Sequence, residues 1–354
     1  MIFGSDNMVG ASPPVLQALV EAAQGGPEAS YGADSWSERA RAMLRDVFEH
    51  DVWVSFVTTG TIANCLGLSL LVQPWEMVLC HHQSHIANDE NTAPEFFTGG
   101  ARLVKLPGDG KLTPEALTRQ LSGEAGHPPH NALGAAISVT QASECGLVYT
   151  PQELAALSAL ARARGWRVHM DGARFANAVV RLGCSPADIT WRAGVEVLSL
   201  GATKNGGLAA EAVVVFDRAL AETLEVRVKR AGQMLSKGRI LGAQFVGWLQ
   251  DGHWLDLAAR ANAAAQRVAA ALAATNGVRL AWPSEANEVF AIMPTPLIES
   301  LRRRGAVFFD WASAGLPAAC ALSPGEAAVR FVASFATTPA DLAALESALA
   351  SPAL

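Results

Sequence analysis

The sequence predicts an α/β protein with a mostly parallel sheet covered by helices on both faces. Apolar runs of strand length alternate along the chain with longer helical patterns, which is the order expected of parallel strands joined by crossover helices. Half of the 354 residues are hydrophobic, so a large core is available. The pattern of the sequence changes beyond about residue 250, where an alanine-rich stretch begins. We therefore expect a large domain over residues 1–250 and a smaller C-terminal α/β domain over residues 251–354.

The first half of the chain supplies the earliest strands and the best-marked helix. Strands are expected at residues 52–57, 77–80 and 133–139, with a helix beginning at Thr61 after the first of them. A further helix begins at Pro151, because Thr150 is a suitable N-cap, Glu153 completes a capping box and proline is favoured at the first helical position. Gly165 supplies its C-terminal stop.

The second half continues the pattern and then changes to the smaller unit. Strands are expected at residues 167–171, 195–200 and 211–216, and then a helix at 255–274, a strand at 287–293, a helix near 295–304 and a strand at 328–334. The alanine-rich helix carries Arg260, Gln266 and Arg267, which predicts an amphipathic helix with one solvated face.

Charge and cysteine content exclude several kinds of partner. The chain has 27 Lys+Arg against 33 Asp+Glu, a formal charge of -6, and no long basic run, which argues against nucleic acid or an anionic membrane as partner. A small molecule is the expected ligand. Five scattered cysteines without a C-x-x-C pair favour free thiols in a reducing compartment. We see no signal peptide and no run of membrane-spanning length, so a cytoplasmic location is expected.

Two strand ends carry the residues of a cofactor site. Lys204 follows the apolar run Leu198-Ser199-Leu200, and Asp171 ends another strand thirty-three residues earlier. A lysine amine can hold the aldehyde of pyridoxal phosphate as a Schiff base, and a carboxylate can keep the pyridine nitrogen protonated so that the ring accepts electrons. The pair predicts a pyridoxal phosphate site. The alternative is a solvated loop lysine and a strand-end cap.

The segment Thr59-Gly60-Thr61 predicts an anion site for the cofactor phosphate. Small residues between a strand and a helix let backbone N–H groups approach an anion, and the helix N-terminus adds its positive dipole. The alternative is a tight turn that binds nothing. We find no other phosphate motif in the sequence. The segment 108–112 is glycine-rich but lacks the spacing of a P-loop.

The histidines His81 and His85 stand four residues apart, as in some zinc sites. The glutamate of H-E-x-x-H and an evident third ligand are both missing, so we expect no metal.

Arginines indicate a carboxylate ligand. A guanidinium can grip a carboxylate through two parallel hydrogen bonds. Arg330 lies between apolar Val329 and Phe331 on an expected strand, and a buried arginine needs an anion. The anion is either a free amino acid's carboxylate or an internal salt-bridge partner.

Taken in order, the motifs resemble those of the threonine aldolase family of fold-type-I pyridoxal phosphate enzymes, including its phenylserine-aldolase-like branch. The motifs are Ser5-Asp6, Tyr31-Gly32, Thr59-Gly60-Thr61-Ile62-Ala63-Asn64, His85, Asp171-Gly172-Ala173-Arg174, Thr203-Lys204-Asn205-Gly206 and Val329-Arg330-Phe331. The resemblance implies a fold-type-I large domain and the cleavage of a β-hydroxy-α-amino acid into glycine and an aldehyde.

The resemblance also implies roles for individual residues. It gives Lys204 and His85 catalytic roles, with His85 stacked on the cofactor ring. The residues implied to bind the cofactor are Lys204, Gly60, Thr61, His85, Asp171, Arg174 and one of Arg230 and Lys237, which would reach the phosphate across a subunit boundary. The residues implied to bind the substrate are Ser5, Tyr31, Arg174 and Arg330. A homodimer or homotetramer with shared active sites follows from this arrangement.

One departure from the family's pattern concerns the base that removes the β-hydroxyl proton. Much of the family has Thr-His-Asn-Gly where this chain has Ser143-Glu144-Cys145-Gly146. Glu144 therefore replaces the histidine, and it is either an acid–base group with a raised pKa or a loop cap. The preference between threo and erythro substrates stays open. So do two other functions, another pyridoxal phosphate reaction such as β-elimination, deamination or transamination, and a noncatalytic protein derived from the fold.

Overall fold

A computed structural model describes residues 1–123 and 129–350 of the chain and shows two sheets with helices around them. The strands of the large sheet are β1 (Trp53–Val57), β2 (Glu76–His81), β3 (Arg102–Leu106), β4 (Leu133–Thr140), β5 (Arg167–Gly172), β6 (Val197–Gly201) and β7 (Glu211–Val215). Their order across the sheet is β1-β7-β6-β5-β4-β2-β3. Strand β7 is antiparallel to both of its neighbours, β1 and β6, and the other described pairs of this sheet are parallel, so the predicted mostly parallel sheet is confirmed.

The helices lie between the strands and after them. They are α1 (Pro13–Gln24), α2 (Ser35–Phe48), α3 (Gly60–Leu71), α4 (His85–Asn88), α5 (Ala93–Thr98), α6 (Pro114–Gly123), α7 (Pro151–Arg162), α8 (Phe175–Leu182), α9 (Arg218–Ala221), α10 (Leu224–Arg230), α11 (Arg239–Leu249), α12 (His253–Ala273), α13 (Thr295–Arg303) and α14 (Pro339–Ala350). Within the described parts of the chain, no helix combines the length and the apolar character needed to cross a bilayer.

Helices cover both faces of the large sheet. Every residue of β6 and β7 is buried. Val197 and Val213 belong to one apolar cluster, while Leu198 and Val214 belong to another on the opposite face. Because successive side chains of a strand point to opposite faces, a strand buried on both sides appears in the sequence as a continuous apolar run.

Helix α7 begins as its sequence predicts. The Thr150 hydroxyl accepts a hydrogen bond from the Glu153 backbone N–H (3.2 Å), and the Glu153 carboxylate accepts one from the Thr150 N–H (2.7 Å). Gly165 takes a φ of +72°, which favours glycine, just beyond the last helical residue. The reciprocal bonds satisfy two of the backbone donors that a helix leaves unpaired at its N-terminus.

The second sheet is antiparallel. It contains β8 (Arg279–Leu280), β9 (Glu288–Pro294), β10 (Phe309–Asp310) and β11 (Glu326–Val332), in the order β10-β11-β9-β8. The N-terminal segment reaches it, because Phe3 donates to the Val307 carbonyl and accepts from the Val332 N–H, both at 2.8 Å. These two bonds carry the following residues, including Asp6, from the second sheet toward the large one.

Helix α12 contacts both cores. Trp254 and Leu257 near its start belong to the core of the large sheet, whereas Val268 and Leu272 near its end belong to that of the second sheet. Its predicted amphipathic character is confirmed, since Arg260, Gln266 and Arg267 are exposed. The division of the chain at residue 250 stays a prediction.

Candidate active site

A cavity of about 420 Å³ opens at one edge of the large sheet. Parallel strands present their carboxyl ends at the same edge, and the antiparallel β7 begins there. The residues that these ends contribute to the lining include Thr59, Thr140, Asp171, Lys204 and Glu211. The volume lies in the range of small-molecule sites, which span about 300–1,000 Å³.

Lys204 lies on a 3-10 turn, Thr203–Asn205, that follows β6. The turn is fixed at Asn205, whose side chain donates to the Trp254 carbonyl (2.8 Å) and whose carbonyl accepts from the Trp248 indole (2.9 Å). The Lys204 amine itself has no hydrogen bond or ion pair to any of the residues that the structure describes. A half-buried amine held at a rigid turn, with its donors unused, is suited to form a bond with a carbonyl compound.

Asp171 is held in place from two sides. It is buried at the end of β5, where one carboxylate oxygen accepts from the Ala173 N–H (3.0 Å) and the other from the Asn64 amide (2.9 Å). Asn64 projects from α3, so a helix on one face of the sheet orients an acid at its edge.

Asn64 links this acid to the candidate histidine. The amide nitrogen that donates to Asp171 also donates to Glu90 Oε1 (2.8 Å), which lies 2.9 Å from His85 Nδ1. This hydrogen bond raises the pKa of His85 although burial opposes it. Burial raises the pKa of Glu90. Glu90 was not predicted as a site residue, and its only signal in the sequence is an acid five residues after the histidine.

Among the described residues, His85, Glu90 and Asp171 are the group whose ligand atoms lie close enough together to suggest a metal site. Ligand atoms of His85, Glu90 and Asp171 lie within 4.8 Å of one another. Asn64 already donates to both carboxylates, and His85 Nδ1 already contacts Glu90, so the three form a hydrogen-bonded chain. His81 and His85 do not share a helix face, because His81 ends β2, with its Nε2 atom 3.0 Å from the Gly108 carbonyl, whereas His85 begins α4.

Glu144 lies against the same wall of the cavity as His85. Its Oε1 atom accepts hydrogen bonds from the His85 backbone N–H (2.7 Å) and the Thr140 hydroxyl (2.8 Å). Burial, reinforced by the charge of Asp171, raises the pKa of Glu144 to about 7. A carboxyl group with this pKa can accept or release a proton near neutral pH.

The N-terminus of α3 forms another part of the cavity wall. Thr59, Gly60 and Thr61 all line the cavity, and Thr59 caps the helix by accepting from the Ile62 N–H (3.3 Å). Gln233 braces the preceding residue, since its side-chain oxygen accepts from both the N–H and the hydroxyl of Thr58 (3.2 and 2.9 Å). Free backbone donors at a helix N-terminus favour an anion such as a phosphate.

A further buried acid, Glu211, lies between this helix and the lysine turn. It is 5 % exposed and accepts a hydrogen bond from the Thr203 N–H (3.3 Å). Burial raises the pKa of Glu211 to about 7, while the bond from Thr203 and the charge of Lys204 lower it. Glu211 was not predicted as a site residue, although an acid at the start of an otherwise apolar strand is a signal for it.

The candidate substrate arginines form an ion network near the cavity. Arg174, which lines the cavity, donates to both carboxylate oxygens of Asp6 (2.8 and 3.1 Å) and lies 3.1 Å from Glu288. Arg330 lies 3.6 Å from the other oxygen of Glu288. Burial opposes the charge of Arg174, but the two acids outweigh it and raise its pKa. The anion that each arginine contacts here is a protein carboxylate, and their roles toward a substrate stay predictions.

Ser5 supports the cavity without lining it. It caps the 3-10 turn Asp6–Met8 by accepting from the Asn7 N–H (3.1 Å), and Asn7 is the residue of this turn that lines the cavity.

Three predicted site residues lie away from the cavity of their own chain. Tyr31 is 54 % exposed with the Lys229 ammonium 5.0 Å above its ring, and Arg230 and Lys237 are exposed. None of the three lines this cavity. Their roles toward a cofactor or substrate stay predictions.

The fold and the site together define the class of the protein. The protein has a mostly parallel sheet with helices on both faces. At one edge of this sheet lie a lysine turn, an acid on a neighbouring strand and a helix N-terminus, and this arrangement is that of a fold-type-I α/β enzyme. A family model described as Beta-eliminating lyase matches residues 3–295, and the chain belongs to this family.

Similar proteins agree with the assignment. The chain is 44% identical over 335 residues to a low specificity L-threonine aldolase of a Pseudomonas species, covering 94% of this chain and 96% of that one. It is 44% identical over 315 residues to a protein of the same name from Pseudomonas aeruginosa, covering 88% and 90%. A solved structure of Leishmania major threonine aldolase matches with a TM-score of 0.90 and 29% identity, covering 99% and 98%. The predicted family and fold class are confirmed.

Proposed function

We propose that the chain is a pyridoxal phosphate-dependent aldehyde lyase that cleaves L-threonine, L-allo-threonine or related β-hydroxy-α-amino acids, phenylserine among them, into glycine and an aldehyde. The observation that carries the proposal is the Lys204 amine, free of partners among the described residues, in one cavity with Asp171. The names of the Pseudomonas relatives support the reaction type, since the identity of 44% extends over nearly the whole chain.

The donor set of the cavity fits the cofactor. Lys204 offers an amine for an aldehyde, Asp171 a carboxylate for a ring nitrogen, and Gly60 and Thr61 backbone donors for a phosphate. Asp171 accepts hydrogen bonds from Asn64 and Ala173, which fix its carboxylate and leave it able to accept another.

When bound, pyridoxal phosphate supplies an electron-accepting ring that stabilises the electron pair of the broken Cα–Cβ bond. The protein supplies the rest of the chemistry. Asp171 keeps the ring nitrogen protonated, because its negative charge favours the cationic form. Arg174 and Arg330 would hold the substrate carboxylate and so fix the orientation of the substrate in the site.

Cleavage also requires a base that takes the proton of the β-hydroxyl group. Glu144 and His85 are the candidates, and they lie together because Glu144 accepts from the His85 backbone. The pKa of Glu144, about 7, supports its ionisation near neutral pH. The Lys204 amine, which also lines the cavity, would move a proton to Cα.

The decisive experiment follows the products of the purified holoenzyme. Incubation with L-threonine, L-allo-threonine and phenylserine is expected to release equal amounts of glycine and aldehyde. Release of ammonia or a keto acid would instead show another pyridoxal phosphate reaction on this fold. Bound cofactor with no product from any of the three would show a noncatalytic protein.

The proposal includes an oligomer with shared active sites in the cytoplasm. Tyr31, Arg230 and Lys237 are exposed away from the cavity of their own chain, which supports a role in a neighbouring subunit's site. The five cysteines are free, which supports a reducing compartment.

A further inference from the structure

We propose that Glu288 is an internal counter-ion that competes with the α-carboxylate of the substrate for Arg330 and thereby weakens amino-acid binding. The inference rests on the proposed function, because it takes the ligand of this site to be an amino acid. It gives a specificity-determining role to a residue that the reaction itself does not use.

Glu288 lies between the two arginines without hydrogen-bonding to either. Its side chain is fully buried at the start of β9, 3.1 Å from Arg174 and 3.6 Å from Arg330. Neither carboxylate oxygen of Glu288 has a hydrogen-bond partner among the described residues. The Nε atom of Arg330 also has none among them. Glu288 therefore balances the charge of Arg330 while the donors of that arginine remain unused.

The other acid of the network is bound in a different way. Asp6 accepts two hydrogen bonds from Arg174 and a third from Asn287 (3.0 Å). Asp6 is thus fixed on Arg174, and Glu288 is the less restrained of the two carboxylates. The Arg330 guanidinium is itself positioned, since it lies 5.5 Å above the centre of the Trp311 ring.

The charge count gives the direction of the effect. Asp6 and Glu288 against Arg174 and Arg330 make a network with no net charge. An incoming carboxylate makes this buried network negative, so Glu288 repels the ligand that Arg330 attracts. Without a ligand, Glu288 is the counter-ion of the partly buried Arg330 guanidinium. The same carboxylate therefore stabilises the free site and opposes the bound one.

The test compares two amines that differ in the carboxylate. Dissociation constants of glycine and 2-aminoethanol are measured from the change in cofactor absorbance of the holoenzyme. In Glu288→Gln, glycine is expected to bind about tenfold more tightly, and 2-aminoethanol within about twofold of the wild type. Glu326→Gln is the control, because it removes a carboxylate that pairs with Arg279 outside the cavity, and it should change neither constant.

A second measurement reports the site independently of cofactor absorbance. Glu288→Gln leaves the buried network with a net positive charge, so the free variant should melt at a lower temperature than the wild type. Glycine should raise its Tm by more than it raises that of the wild type. In an Arg330→Met background, Glu288→Gln should no longer tighten glycine binding.

Unchanged or weaker glycine binding in Glu288→Gln would overturn the inference, and so would equal tightening of both amines. If Glu288→Gln does not fold, Glu288→Asp replaces it, because the side chain is one methylene group shorter and its carboxylate lies farther from Arg330. The inference then requires that Glu288→Asp bind glycine more tightly and 2-aminoethanol as the wild type does. Failure of the proposed function can be distinguished from failure of this inference. A wild type that releases no aldehyde would contradict the proposed function, and the dissociation constants of both amines could still be measured.

Discussion

At the scale of the residue, burial decides which groups can exchange protons near neutral pH. Glu144 has its pKa raised to about 7 mainly by burial. Burial also acts on Asp6, but the charges of Arg174 and Lys204, together with the hydrogen bonds from Arg174, outweigh it and lower the pKa of Asp6. Asp6 has a cationic partner and a lowered pKa, as expected of a structural acid. Glu144 has no such partner among the described residues and a raised pKa, as expected of a candidate catalytic acid.

The first prediction concerns Lys204. Lys204→Ala should lower aldehyde release by about 10³-fold or more, because no other lysine lines the described cavity. Borohydride reduction followed by mass spectrometry should place the cofactor on the peptide of Lys204 in the wild type and on no peptide in the variant. Lys204→Arg is the matched control, since it keeps the charge but forms no such bond. A reduced adduct at another lysine of the wild type would refute the assignment.

The second prediction separates the two candidate bases. In His85→Asn and Glu144→Gln, the variant that lacks the base should lose about 10²–10⁴-fold in aldehyde release, while exchange of the glycine Cα proton is less affected. Equal losses in both reactions for both variants would show that the two residues only position cofactor or substrate.

The pH profile gives a further sign for Glu144. A base acts when deprotonated, so kcat/KM should rise with pH through about 7 if Glu144 is the base. This limb should be absent in Glu144→Gln. If Glu144→Gln keeps the limb, Glu144 is not the group that titrates, and His85 becomes the candidate, since its pKa is also raised by its bond with Glu90.

At the scale of the element, strand ends and one helix N-terminus bring the chemistry to one edge of the sheet. The turn after β6 carries Lys204, the end of β5 carries Asp171, and α3 faces both. The antiparallel β7 adds Glu211 at its first residue, so a strand that reverses direction places a buried acid beside the lysine turn. This acid affects the stability of the fold itself.

The third prediction concerns that effect on stability. The pKa of Glu211 is about 7 in the folded protein against 4.5 as the reference value. As pH rises above 4.5, the unfolded chain loses this proton first, so the free energy of unfolding falls, by about 3 kcal/mol once the pH passes 7. Glu211→Gln stays neutral, so its stability relative to the wild type should grow between pH 5 and 7. Urea unfolding of the cofactor-free protein measures it.

A control for this experiment is Glu153→Gln. Burial raises the pKa of Glu153, but the bond from Lys111 outweighs it and the pKa is lowered. The stability that Glu153 contributes is therefore present above its reference pKa and lost as the pH falls. A pH-independent difference between Glu211→Gln and the wild type would contradict the raised pKa of Glu211.

At the scale of the whole molecule, Arg230 and Lys237 are exposed and do not line the described cavity of their own chain. If either reaches a neighbouring subunit's cofactor phosphate, cofactor affinity depends on assembly. The fourth prediction is that Arg230→Ala or Lys237→Ala weakens cofactor binding, and that dilution to the monomer does the same. Sedimentation velocity recorded at the cofactor's absorbance measures both.

Arg218→Ala is the control for these variants, since Arg218 is an exposed arginine on the preceding helix α9. It should bind cofactor as the wild type does. An active monomer saturated with cofactor would remove the shared site and leave Arg230 and Lys237 as surface charges.

The sequence by itself determined the fold class, most of the strands and the identity of Lys204, Asp171 and the Thr59-Gly60-Thr61 segment as site residues to test. These features are local, because apolar periodicity, capping residues and strand ends are written in neighbouring positions. The N-cap of α7 at Thr150 is confirmed for the same reason.

Only the tertiary structure decided which side chains face those residues. The direction of β7 depends on its neighbours in the sheet, and Asn64 meets Asp171 across 107 positions of sequence. The sequence placed Glu288 on an expected strand and indicated nothing more about it. The tertiary structure places it between Arg174 and Arg330. Burial and charge pairing depend on contacts between distant segments, and no local pattern specifies such contacts.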